Sequence, residues 1–112
     1  MNAIERAKGH FAEQEIKKIE VPEWADEHGK PLVIYAKPLT LAETSKLYKM
    51  SKDDELTMMA YVLIYKALNE DLEKMFNLGD KSDLLNNVDR EVLVDIATRI
   101  MGQETIEDTK KN

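Results

Sequence analysis

The sequence predicts an α+β protein that is mainly helical, with an N-terminal β-hairpin packed on a small bundle of four or five helices. Three observations lead to this class. The segment from Pro31 to Lys37 is rich in β-branched and aromatic residues and is bounded by Pro31 and Pro38, which is typical of a strand. Thr40 to Glu43 has the pattern of a capping box, which marks a helix start. The segment from Asp53 to Leu68 repeats apolar residues at helical spacing.

Length and composition exclude several classes of protein. A chain of 112 residues can bury one modest core but not two. The net charge of −6 disfavours nucleic acid as a partner, because phosphate-binding surfaces need clustered Lys and Arg. Without cysteine there is no disulfide or thiolate metal site, and no run approaches the roughly 20 apolar residues of a membrane span. We therefore expect a soluble protein without a signal peptide or membrane partner.

The predicted organisation has three parts. Residues 1–14 are expected to be helical or mobile, and residues 15–102 to form one globular domain. Within that domain the hairpin covers about 15–37 and the helices cover about 41–102. Residues 103–112 carry a single large apolar side chain, so we predict a flexible tail.

The N-terminal helix and the hairpin follow from spacing and turn chemistry. A narrow apolar stripe containing Ile4 and Phe11, interrupted by Gly9, predicts a short or conditional helix. An edge strand should end at Pro22, which cannot donate to a sheet. A polar turn containing Gly29 then leads into the second strand. Because a hairpin alone is unstable in water, its apolar side should lie on the helices.

Cap residues divide the second half into helices. The first helix after the hairpin should start at about Leu41 and break near Ser51. Ser51 to Asp54 offers a second capping arrangement at which the central helix should begin. After an irregular connection over residues 69–80, Ser82 is predicted to cap a short helix. The last helix should be capped by Asp89 and end at Gly102 as the C′ residue.

The central helix is apolar on two opposite faces. The first stripe is assigned to the core and contains Leu56, Met59, Ala60, Leu63, Ile64, Ala67 and Leu68. The second stripe contains Met58, Tyr61, Val62 and Tyr65. This second stripe could be covered by the chain's own hairpin and last helix, by another subunit or by a different protein that the chain binds. Because Met is adaptable and Tyr combines apolar area with a hydroxyl, we select these four residues, with Trp24, as candidate partner contacts.

The sequence offers little support for catalysis. His10 and His28 fall in a weak helix and a polar turn, so both are interpreted as surface residues. A calcium-like spacing is formed by Asp80, Ser82, Asn86 and Glu91. A calcium-binding loop requires glycine at its sixth position, but this chain has Leu85 there. We therefore interpret these residues as helix caps and not as calcium ligands. A carboxylate pair meeting in a cleft stays open, but we expect a binding protein that is not an enzyme and has no cofactor or metal.

The order of features resembles the tail assembly chaperones of long-tailed, siphovirus-type bacteriophages. The shared features are an N-terminal charged helix, Val21-Pro-Glu-Trp24, a polar turn, Val33-Ile-Tyr35, Pro38-Leu-Thr-Leu-Ala-Glu43, the long apolar helix, Phe76 and short helices to Gly102. The resemblance spans about residues 16–102. One departure lies after the long helix, where such proteins often have an Asp-Gly turn before Leu-Phe but this chain has Glu70 to Phe76.

The resemblance implies a function and partners. A protein of this family binds the tape measure protein in the host cytoplasm, keeps it soluble and promotes assembly of the tail tube protein around it, without joining the finished virion. Self-association is a further expectation. Many relatives also have a longer, frameshifted form, with which Lys110-Lys111-Asn112 is compatible, although a charged solubilising tail is the simpler interpretation of these residues.

An alternative function is an acidic inhibitor that mimics nucleic acid and blocks a host enzyme. It would be supported if the acidic side chains on either side of the central helix formed one patch, namely Asp53, Asp54, Glu55, Glu70 and Asp71. Basic residues interspersed along the chain speak against it, since they are typical of an ordinary solvated surface.

Overall fold

The protein is described by a computed structural model that covers residues 2–102. Within these residues the chain forms five α-helices and one two-stranded antiparallel sheet, which confirms the predicted α+β, mainly helical class. The elements are α1 (Ala3–Glu13), β1 (Lys17–Val21), β2 (Leu32–Ala36), α2 (Leu41–Met50), α3 (Glu55–Lys66), α4 (Lys81–Asn86) and α5 (Arg90–Ile100). Short 3-10 turns lie at Pro22–Trp24 and Leu78–Asp80.

The hairpin joins the helices through its apolar face and through its second edge. Ile19 of β1 lies opposite Ile34 of β2, and both side chains are buried. β2 also pairs with the segment after α3, where the amide of Tyr35 donates to the carbonyl of Leu68 at 2.8 Å and the Leu68 amide donates back at 2.9 Å. These bonds satisfy backbone groups that a lone hairpin would leave open.

α3 lies at the centre of the core. It packs against α2, α4 and α5, and α5 also contacts β1. The largest fully buried side chains are Ile34, Val62, Leu63, Ile64, Ile96 and Ile100. Both apolar stripes of α3 therefore contribute to the core, because helices cover it on more than one side.

The turn between α2 and α3 corrects the predicted helix cap. Ser51 does not cap α3 but ends α2, where its buried hydroxyl donates to the carbonyl of Tyr48 at 2.6 Å. The next two residues have left-handed φ angles of 56° and 62°. Asp54 then caps α3 by accepting the amide of Thr57 at 3.3 Å, so the helix begins at Glu55. Ser51 is the C-cap residue of α2 and lies three residues before the cap position of α3, which Asp54 occupies.

The start of α4 also differs from the prediction. Ser82 lies inside α4, which begins at Lys81 directly after the 3-10 turn. The carboxylate of Asp80 accepts the amide of Asn77 at 2.9 Å, so the chain is already turning over Leu78–Asp80, before the predicted cap is reached. Because this turn leads straight into α4, no serine cap is needed.

Three predicted helix boundaries are confirmed. Thr40 and Glu43 form the reciprocal capping box at the start of α2, with amide–oxygen distances of 3.1 and 3.0 Å. Asp89 caps α5 by accepting the amide of Glu91 at 2.8 Å. Gly102 has a φ of 83°, the left-handed geometry that favours glycine after a helix.

The N-terminal region forms α1, with Asn2 as its cap, and none of its residues is buried. Residues 103–112, for which we predict a flexible tail, lie outside the described part of the chain. Among the helices of residues 2–102, none has the length and apolarity needed to cross a bilayer.

Candidate functional site

Two of the predicted partner contacts lie inside the protein. Val62 is fully buried and Met58 is only 7% exposed, and both belong to the main core cluster. The expectation that Val62 faces a partner is therefore wrong, and Met58 keeps only a small exposed fraction, which borders the groove described below. The physical reason is that the second stripe of α3 is covered by the chain itself, since α3 is surrounded by α2, α4 and α5.

The other predicted contacts are partly accessible. Tyr61 and Tyr65 are half-buried and their rings stack with centroids 6.2 Å apart. Lys81 Nζ lies 5.0 Å from the centre of the Tyr61 ring and Lys74 Nζ lies 4.9 Å from that of Tyr65. A partner would have to displace these cations, each worth about 0.5–1 kcal/mol at an exposed site. Trp24 is half-buried against the core, and its partner role, like that of the tyrosines, stays a prediction.

Leu56 was assigned to the core but is 57% exposed. It lies on the same face of α3 as the fully buried Leu63, two turns closer to the helix start. The cover over Leu63 does not extend the roughly 10 Å along the helix axis to Leu56. Periodicity identifies the buried face of a helix but not where along that face the cover ends.

An open apolar groove lies between one face of α2, the first turns of α3 and the end of α5. It has a volume of about 380 Å³. Its lining residues are Leu41, Thr44, Ser45, Tyr48, Glu55, Met58, Met59 and Met101. Leu41 is 88% exposed and Tyr48 is 37% exposed, so apolar surface reaches solvent on the α2 side. We call this site the apolar groove.

Local sequence explains the α2 side of the apolar groove. The capping box sets Leu41 as the first residue of α2, and Tyr48 follows seven residues later on the same face. Leu47 alone in α2 is buried, and it faces the core rather than the groove. Sequence reasoning missed Leu41 as a functional candidate. The sequence feature that could have identified Leu41 is that it is a large apolar residue outside the buried face of an amphipathic helix.

The apolar groove is lined almost entirely by uncharged residues. Glu55 is the single charged residue among those that line it. Met58, Met59 and Met101 provide three flexible thioether side chains at its base and far edge. Methionine surfaces can adapt to different apolar partners. The groove therefore suits a helix with an apolar stripe. Among the described residues, no hydrogen bond joins the Thr44 or Ser45 hydroxyl to the Glu55 carboxylate, and the Thr44 hydroxyl donates instead to the carbonyl of Thr40.

Outside the apolar groove, an ion pair between Glu43 and Lys66 joins α2 to α3. The Lys66 ammonium, followed by the Thr40 amide, holds the pKa of the Glu43 carboxyl below its ordinary value, against the opposing effect of burial. This ion pair links two of the helices that line the groove.

Other candidate chemistries lack a constellation in the described residues. Between residues 2 and 102, no three His, Cys, Asp or Glu side chains come together in a way that could hold a metal ion. His10 and His28 are both exposed. The acidic residues considered for a nucleic-acid mimic fall into two groups, one at the start of α3 and one beyond its end. The 12 residues of α3 between them form a helix about 18 Å long.

The fold and site define a small, mainly helical α+β protein with an open apolar groove. Comparison with protein-family models, curated proteins and solved structures finds no match.

Proposed function

We propose that this protein is a tail assembly chaperone of a long-tailed bacteriophage, which binds the tape measure protein in the host cytoplasm. It keeps the tape measure dispersed and promotes assembly of the tail tube protein around it. The resemblance in the order of sequence features supports this proposal. The structural observation that carries it is the apolar groove, whose Leu41 and Tyr48 expose apolar surface that the domain itself does not cover.

The apolar groove fits one face of an amphipathic helix. Leu41 and Tyr48 are separated by two helical turns, or about 10 Å, so a client helix with apolar residues at positions i, i+3 and i+7 could lie along them. A long helical tape measure offers many such stripes, which would otherwise associate with each other. The net charge of −6 helps to keep the resulting complex dispersed.

Release of the client needs no nucleotide. A contact between one helix face and one open groove is expected to be smaller than a standard stable interface of roughly 1,200 Å² or more, so we expect each contact to be weak. Weak contacts exchange readily, and tail tube subunits that bind the same stripe can displace the chaperone by mass action.

Coexpression with a tape measure fragment tests the proposal. The wild-type chain should keep the fragment soluble, whereas Leu41→Asp should lose this effect by placing a carboxylate on the groove wall. Leu41 is the first residue of α2, where an acidic side chain is compatible with the positive helix end, so the fold should be retained.

The matched control is Leu78→Asp. Leu78 is also an exposed leucine at the first position of a helical turn, but it lies outside the apolar groove. Solubility of the fragment should be unchanged in this variant. The proposal is wrong if the folded wild-type chain does not keep the fragment soluble, or if the two variants rescue it equally well.

The acidic-mimic alternative gains no support from the arrangement of its candidate residues. Asp53, Asp54 and Glu55 lie at one end of α3, while Glu70 and Asp71 lie beyond the other end. A mimic of a phosphate backbone requires a continuous row of negative charge, which these two separated groups do not form.

A further inference from the structure

A second cavity lies on the other side of α2 from the apolar groove. It has a volume of about 340 Å³, and three of its lining residues are Lys46, Lys66 and Lys74, so we call it the lysine pocket. Each α2 residue of the pocket lies two positions after an α2 residue of the groove. Two positions correspond to a rotation of about 200° around a helix. The pocket and the groove therefore lie on opposite faces of α2.

Three separate parts of the chain bring the lysines of this pocket together. Lys46 lies on α2, and Lys66 is the last residue of α3. Lys74 follows the loop after α3, where it forms an antiparallel backbone bridge with Leu68. The Lys74 ammonium also lies 4.9 Å from the centre of the Tyr65 ring, which is part of the pocket wall. The convergence of the three lysines is thus a property of the tertiary structure.

Positive charge is in excess in the lysine pocket. Glu43 is the acidic residue of the lining, and its carboxylate already pairs with Lys66. Among the described residues, neither Lys46 nor Lys74 forms an ion pair. The acidic residues of the loop before Lys74 are exposed and do not line the pocket, namely Glu70, Asp71 and Glu73. On a chain with a net charge of −6, this local excess of positive charge favours an anionic ligand.

The lysine pocket also has an apolar base. Leu47 is buried and Met50 is half-buried, whereas Lys46 and Lys74 are exposed. The pocket therefore has apolar side chains at its base and ammonium groups at its rim. Its volume is close to the lower limit of about 300 Å³ for small-molecule sites, so it suits a single large side chain better than a whole cofactor.

We infer that the lysine pocket binds an acidic peptide segment of another protein, in which one large apolar side chain lies between carboxylates. The apolar side chain covers Leu47 and Met50, and the carboxylates on either side of it meet Lys46 and Lys74. Burial of the apolar side chain contributes affinity, while the ion pairs select an acidic partner. This site goes beyond the proposed function, because it lies on the opposite face of α2 from the groove that receives the client.

A titration followed by nuclear magnetic resonance tests this inference on the isotope-labelled full chain. The probe is a short synthetic peptide in which one leucine is flanked on each side by two glutamates. We expect saturable shifts of the backbone amide signals of Lys46, Lys66 and Lys74, and none at Leu41 or Tyr48 of the apolar groove. The affinity should fall as salt is added, because the rim charges are exposed. Absence of saturable shifts, or shifts confined to the groove, would overturn the inference.

Altered ligands separate the charge from the apolar contact. A peptide with glutamine in place of every glutamate should bind about ten-fold more weakly, since it loses the ion pairs at the rim. A peptide with glycine in place of the leucine should also lose about ten-fold, since it leaves the apolar base uncovered. Glutarate carries two carboxylates without an apolar side chain. If glutarate or the glutamine peptide binds as tightly as the original peptide, the pocket does not recognise this class of segment.

A pair of lysine variants provides the matched control in the protein. Lys74 and Lys81 lie over the two rings of the same tyrosine stack, with ammonium–centroid distances of 4.9 and 5.0 Å, but only Lys74 lines the pocket. Lys74→Gln and Lys81→Gln change the net charge equally. We expect Lys74→Gln to weaken peptide binding by about three- to five-fold and Lys81→Gln to leave it unchanged. Equal effects of the two substitutions would refute the assignment.

The Leu41→Asp variant distinguishes this inference from the proposed function. Leu41 lines the apolar groove and not the lysine pocket, so this variant should bind the acidic peptide as the wild-type chain does. Loss of peptide binding in Leu41→Asp would place the peptide in the groove and overturn the inference. No tape measure fragment is present in these titrations, so a failure of client rescue with peptide binding intact counts against the chaperone proposal alone.

Discussion

Truncating Leu63 and Leu56 to alanine compares buried and exposed positions on one helix face. The two leucines lie seven residues apart in α3, and sequence periodicity assigns both to the core. The structure leaves Leu63 with no exposed surface but Leu56 57% exposed. Because the same substitution is made in the same helix, the change in helix propensity is nearly equal at both sites. The difference between the two losses of unfolding free energy therefore measures burial.

The expected difference follows from the surface that each side chain buries. Leucine has three more carbons than alanine, and their transfer from water is worth about 2.4 kcal/mol at full burial. The cavity left in a rigid core raises the loss for Leu63→Ala to about 3–4 kcal/mol. For Leu56, with less than half of its surface covered and no enclosed cavity, the loss should be about 1 kcal/mol or less.

Urea unfolding measures both losses. A domain of this length has about 6–15 kcal/mol of stability, so Leu63→Ala should still be folded at 25 °C. The transition can be followed by helix circular dichroism and by fluorescence of Trp24, with the dependence on urea unchanged and the midpoint lowered. Losses for the two variants that agree within about 0.5 kcal/mol would show that the burial difference in α3 is incorrect.

Three further substitutions test other parts of the structure. Met58→Asp should abolish the cooperative unfolding transition, because it places an unpaired carboxylate in the core; a folded variant would show that Met58 is accessible. Gly102→Ala should lower stability by about 1 kcal/mol, since alanine is strained at a φ of 83°, and a neutral result in urea unfolding would contradict this C′ geometry. Because the pKa of Glu43 is lowered, the stability that its ionised carboxylate contributes is fully present above the ordinary carboxyl pKa and is lost as pH falls through the lowered pKa. Glu43→Gln should therefore reduce stability at pH 7 by about 0.5–1 kcal/mol, given the partial exposure of the ion pair, and less at pH 3; an unchanged difference would refute this coupling.

Much of the fold could be predicted because its signals are local. The Thr40–Glu43 capping box, the Asp89 cap and the glycine at 102 each act within one turn of helix, so their residue types indicate their roles directly. Ser51 shows the limit of this reasoning. Serine can cap a following helix or bond to a preceding carbonyl, and the choice depends on how α2 and α3 meet.

The candidate site was less predictable because exposure is not a local property. Met58 and Val62 have the spacing of a surface stripe, but neighbouring elements cover them. Leu41 looked unremarkable in sequence, yet it is the most exposed large apolar side chain of the described residues. The same residue type can stabilise a core or remain available to a partner, depending on which elements pack beside it.

The sequence by itself determined the mainly helical α+β class, the hairpin and several helix boundaries, since backbone preferences and capping act over a few residues. It also determined that α3 is apolar on two faces. Only the tertiary structure decided that both faces contribute to the core and that uncovered apolar surface lies on α1 and in the groove beside α2. The physical reason is that burial depends on contacts between residues distant in the chain, and the hydrophobic effect acts on whatever area those contacts remove from water.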